Sequence, residues 1–201
     1  MSRCTNFYAS GLAKTMLGSV EFLSDGIRFT DYPYPPASIY PTGIVKYLSI
    51  EEIVINAIPP EVRTSEDILF VSASLREQLM TVAKEQGIAL TNRQDVWGLI
   101  LEPFLDTEFT AAQQQATLEL LEQNGIDREL SKRLRNRVAK AMWAYNFDSG
   151  LWDWCHLGLS DLLSALQGTL SGPEHCLPKE QFAAFYREAI KLAHQGKLLN
   201  I

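Results

Sequence analysis

The stretch ILFVSASLREQLMTVAKEQGIALTNRQDVWGLILEPF, residues 68–104, contains the change of pattern that decides the fold. It opens on Ile68-Leu-Phe-Val, a short unbroken apolar run of the kind that forms a strand buried on both faces. A helix follows, with Leu75, Leu79, Val82 and Ala83 on one face. Ser74 with Glu77 three residues later predicts a capping box at its start, and Gly87 predicts a left-handed stop at its end. Beyond Leu90 the apolar spacing is helical throughout. Val96, Trp97, Ile100, Leu101 and Phe104 mark the next helix, which Pro103 ends or kinks.

Toward the N-terminus from this boundary, the runs are short and β-like. Val20–Leu23 and Ile27–Thr30 alternate apolar and polar residues around Asp25-Gly26, a hairpin signal in which glycine would supply the positive φ of a tight turn. Ile44–Leu48 and Ile53–Ile55 are further strand candidates. Between them lies Asp31-Tyr-Pro-Tyr-Pro-Pro-Ala-Ser-Ile-Tyr-Pro. It reads as a stiff loop with Tyr32, Tyr34 and Tyr40 packed back on the sheet, in preference to a polyproline ligand for an aromatic groove.

Toward the C-terminus, Thr110 with Gln113 predicts a second capping box, and Gly125 closes that helix. Asp127 is a suitable N-cap for a helix with the stripe Leu130, Leu134, Val138, Ala141 and Met142. Phe147–Gly150 breaks it, a further helix reaches Gln167, and a last one begins at Pro178 with Phe182, Phe185, Tyr186, Ala189 and Ala193 inside. The expected fold is therefore α+β. A small antiparallel β-rich subdomain closed by one helix occupies residues 1–91, and an all-α bundle of about five or six helices occupies residues 92–201.

Composition narrows the class. The 201 residues are 46% hydrophobic and 21% charged, enough apolar material for a sizeable core. No run of eighteen apolar residues exists, and the first residues lack a signal-peptide core, so a cytoplasmic protein with no membrane contact is expected. Cys4, Cys155 and Cys176 are too few and of the wrong parity for a disulfide framework. Phosphate-loop, dinucleotide, zinc-protease and serine-hydrolase motifs are absent.

The charge pattern is uneven. Arg128, Lys132, Arg133, Arg135, Arg137 and Lys140 face only Asp127 and Glu129 within residues 127–140, a local +4 in a chain of net -6, which leaves -10 for the remainder. On a helical wheel Arg133, Arg137 and Lys140 gather on one flank of the apolar stripe, and Arg128, Lys132 and Arg135 on the other. Such a face can be solvated, can pair in part with Glu119 and Glu122 of the preceding helix, or can meet an acidic partner. Nucleic acid is disfavoured by the chain's overall acidity. Directly after the basic run, Trp143, Tyr145, Asp148, Trp152, Asp153 and Trp154 crowd an aromatic turn that could stack a planar ligand or simply pack.

Cys155-His156 and His175-Cys176 have adjacent ligands, a poor spacing for zinc, and no histidine has a spaced acidic partner that would mark a triad. Glu102, Asp106 and Glu108 surround Pro103 and read as an exposed helix end. No metal, cofactor or catalytic residue is expected.

The functional expectation is a non-catalytic interaction or regulatory protein. Its candidate contact surface comprises Arg133, Arg137, Lys140, Trp143, Tyr145, Asp148, Trp152, Asp153 and Trp154, with a partner protein of acidic surface. The alternatives are a small-molecule-binding protein or hydrolase with its pocket at the aromatic turn, and RNA binding by the basic helix.

Overall fold

The computed structural model describes residues 17–148 and 156–199. It mixes α and β, with mainly antiparallel sheets in the N-terminal half and helices in the C-terminal half. Its residues fall into two compact units, one holding 17–94 with 198–199 and the other 95–148 with 156–197. None of the described helices is long and apolar enough to cross a membrane.

In the first unit, β1 (Ser19–Phe22), β2 (Gly26–Thr30) and β3 (Gly43–Lys46) form an antiparallel sheet in chain order. The hairpin at Asp25-Gly26 is present, but Gly26 is not in the left-handed region. It is the first residue of β2, and a Cβ there would stand 2.4 Å from the carbonyl oxygen of Val45 on β3. Glycine is required here for close approach of two backbones.

A second sheet has the order β6-β5-β4-β7, built from β4 (Glu52–Val54), β5 (Glu61–Arg63), β6 (Ile68–Phe70) and β7 (Ala89–Thr91). Its β4–β7 pair is parallel. The β-rich subdomain expected from the sequence therefore holds two sheets, one of them with a parallel pair, and β5 and β7 are the strands that the sequence pattern did not reveal. Ile68, Leu69, Phe70 and Val71 are all buried, as an unbroken apolar strand requires.

The helix α1 (Arg76–Gln86) joins β6 to β7 and ends at Gly87 with φ 67°, the left-handed stop expected of it. The capping box at Ser74 does not form. A 3₁₀ turn over Ala73–Leu75 precedes α1, Leu75 takes the N-cap position, and the Ser74 hydroxyl pairs with that of Ser72 at 2.9 Å. The tighter turn satisfies its own first N–H groups and leaves the serine oxygen to its neighbour.

The Tyr-Pro loop packs inward. Phe29, Tyr32, Tyr34 and Phe70 meet edge to face in succession, with ring centroids 5.6, 5.5 and 5.8 Å apart. The Tyr32 hydroxyl accepts the backbone N–H of Phe70 at 3.1 Å, so the loop connects to β6. Tyr40 departs from this pattern and is exposed.

The second unit contains α2 (Val96–Leu101), α3 (Ala111–Gln123), α4 (Arg128–Trp143), α5 (Leu159–Leu166) and α6 (Lys179–Ala193). Pro103 sits in a 3₁₀ turn, Glu102–Phe104, which ends α2. The Thr110–Gln113 capping box on α3 is complete in both directions. Asp127 caps α4 by accepting the Leu130 N–H at 2.7 Å. Pro178 occupies the N-cap of α6, one residue before its first helical position.

Buried Trp97 on α2 donates its ring N–H to the Ala189 carbonyl of α6 at 2.9 Å and lies 6.0 Å from Phe185. The inward stripe of α4 is Ser131, Leu134, Val138, Ala141 and Met142. Its apolar members each contribute roughly 1–3 kcal/mol of burial according to size, and this fixes which face of α4 turns to water.

Candidate interaction surface

The basic face of α4 is divided between its own fold and solvent. Arg128 pairs with Glu122 at 3.1 Å and bonds Gln115 at 3.0 Å, the contact with the preceding helix that the charge pattern allowed. Arg135 turns the other way. It donates to the carbonyls of Ile100 at 3.0 Å and Leu99 at 3.1 Å, completing the last turn of α2, whose carbonyls point out of the helix without internal partners. Burial pulls the Arg135 pKa below its ordinary value, an effect partly offset by the Glu102 carboxylate. Arg137 pairs with Glu188 of α6 at 2.5 Å, and its guanidinium lies 4.6 Å above the Phe185 ring.

Lys132, Arg133 and Lys140 are different. They are exposed, and among the described residues no hydrogen bond or ion pair reaches them. The unpaired cations therefore sit on the water-facing arc of α4, with Arg133 and Lys140 flanking Arg137.

Trp143 closes this arc. It is 45% exposed, although large aromatics are usually buried in cores. The ring is held edge-on to Phe104 at 5.6 Å and lies 4.9 Å from Phe147. After Trp143 the chain widens into a π turn, Ala144–Asp148, a geometry often found at functional positions. Asn146 fixes that turn by donating to the Phe104 carbonyl at 2.7 Å. The wider turn sends Tyr145 inward, where its hydroxyl donates to Asp161 at 3.1 Å. Tyr145 is 1% exposed and does not join the water-facing arc. The Asp148 side chain and all of Trp152, Asp153 and Trp154 lie outside the described residues, as do Cys4 and Cys155.

Beside the Arg137 flank, α4, α5 and α6 leave a groove of about 420 Å³. Val138, Leu166, Leu177 and Phe185 form its apolar walls, Ala184 opens onto it, and Arg137 and Gln181 stand at its rim. Nothing in the residue spacing identified this groove, because its walls come from three helices and the connection between α5 and α6.

The histidines also hold a contact that the sequence did not reveal. His156 Nε2 lies 3.0 Å from Asp95 Oδ2, while the other oxygen of Asp95 caps α2 by accepting the Gly98 N–H at 2.8 Å. Burial alone would lower the His156 pKa. The contact with Asp95 and the fields of Asp95 and Asp161 outweigh it, and the net shift is upward. Among the described residues no group of three or more His, Cys, Asp or Glu could hold a metal ion. The chain matches no protein-family model, no curated protein and no solved structure.

Proposed function

We propose that this protein is a non-catalytic interaction or regulatory protein of the cytoplasm that receives an acidic partner protein on α4. The observation that carries the reading is the exposed set Lys132, Arg133 and Lys140, without partners among the described residues, with exposed Trp143 on the same helix. A merely solvated helix face ordinarily mixes both signs of charge. Here Glu129 is the only acid between Arg128 and Trp143. Exposed tryptophan is enriched at interface hot spots, and a local positive field on an acidic molecule orients and accelerates the approach of an acidic surface. The cytoplasmic assignment rests on the sparse, odd cysteine set.

The test uses the paired reversals Arg133→Glu and Lys140→Glu. Among the described residues neither side chain has a partner, so the variant is expected to keep its structure. Affinity capture from the source organism, with mass spectrometry, compares the wild type with the double variant. Proteins carrying acidic segments are expected on the wild type and absent from the variant. Identical sets from both would remove the proposal. In a parallel titration, RNA that binds the wild type but not the variant would instead make α4 a nucleic-acid face.

A further inference from the structure

Arg137 belongs both to the basic flank of α4 and to the rim of the groove beside it. Its present partner shows how a carboxylate seats there. Glu188 reaches the guanidinium at 2.5 Å while Phe185 supports the guanidinium from below at 4.6 Å, and both charged side chains remain nearly half exposed. A pair this exposed is worth little, so an incoming carboxylate can replace Glu188, which then returns to water at small cost. Next to that position lies the open groove of about 420 Å³, lined mainly by the apolar residues Val138, Leu166, Leu177 and Phe185 and wide enough for one side chain. Arg133 and Lys140 stand one turn to either side of Arg137, and no described residue pairs with them.

We infer that the groove receives an apolar side chain of an acidic peptide segment. In this arrangement a neighbouring carboxylate of the segment takes Arg137 from Glu188, and further acids meet Arg133 and Lys140. Glu188 is then a place-holder in the free protein. This rests on the reading of α4 as the face for an acidic partner, and adds to it the class of segment and the residue that competes with it. Charge complementarity selects an acidic occupant, and the apolar walls select one that is not acidic throughout.

The full chain is titrated by calorimetry with a short peptide of Asp and Glu carrying one central Leu, and with the same peptide carrying Ser in its place. Burial of one Leu side chain predicts that the Leu peptide binds about tenfold or more tightly than its Ser counterpart. Ala184→Phe, which fills the groove from an exposed position, is expected to abolish that difference. Glu188→Gln is expected to strengthen the Leu peptide by about two- to fivefold, the value of an exposed ion pair no longer competed for.

Equal binding of both peptides, lost in the Arg133→Glu, Lys140→Glu variant, would overturn the groove and leave the basic face standing. No binding of either peptide would overturn both readings. Unchanged or weakened binding by Glu188→Gln would remove the place-holder. Tighter binding of single-stranded RNA than of either peptide would overturn the acidic segment as occupant.

Discussion

Arg133 and Arg135 are two residues apart on one helix and have opposite roles. The first has no partner among the described residues, and the second completes the carbonyl end of α2. Arg135→Ala strips two carbonyls of a charged donor and is expected to cost about 1–2 kcal/mol in chemical denaturation. Arg133→Ala should leave the denaturation midpoint where it was. His156 and Asp95 supply a second test at this scale. The folded imidazole holds its proton more tightly than the free one, so the pair contributes stability below the ordinary value of 6.5 and loses it as pH rises through the higher folded value. Asp95→Asn keeps a good cap for α2 and removes the charge. The wild type should exceed this variant in melting temperature by more at about pH 5.5 than at about pH 8.5.

Among the elements, β5 is the one that least resembles its sequence. Glu61-Val62-Arg63 follows two prolines and carries two charges in three residues, yet all three side chains are buried. Its Arg63, 3% exposed, lies 2.7 Å from Glu61 and 3.9 Å from Glu52, and Glu52 also receives Arg93 at 2.6 Å. Arg63→Met removes the cation from between two buried acids. It is expected to cost about 3 kcal/mol or more, measured by denaturant unfolding. Elements specified by local chemistry were legible. The Asp127 cap, the Thr110–Gln113 box and the left-handed Gly87 each depend on residues within one turn. β5 and β7 were not legible, because their place depends on pairing with strands distant in the chain and on charge neutralised only in three dimensions. Exposure of Trp143 lay between these cases. Counting about 100° per residue puts Trp143 roughly 20° from Lys132, on the wet arc, although its aromatic bulk argued for the core.

At the scale of the molecule, a +4 segment sits in a chain whose remainder carries -10. An acidic partner is repelled by most of the surface and attracted by one helix, so charge acts chiefly on orientation and arrival. Screening contracts from about 10 Å at 0.1 M salt to about 3 Å at 1 M. Surface plasmon resonance with the Leu-centred peptide should therefore show the association rate falling steeply with salt while dissociation, held by apolar contact, changes far less. A dissociation rate that carries the whole salt effect would argue against that division. The basic half of the candidate surface was legible as charge, but which cations are already engaged was not, since Ile100, Leu99 and Glu188 lie on other helices.

The half-open indole of Trp143 has a further consequence. With Trp152 and Trp154 replaced by Phe, the remaining emission comes from a ring open to solvent and from Trp97, which is sealed inside at 1% exposure. Acrylamide should quench the first and spare the second, so a partner lying over Trp143 would announce itself as lost quenching and a blue-shifted spectrum, with no label attached to the chain.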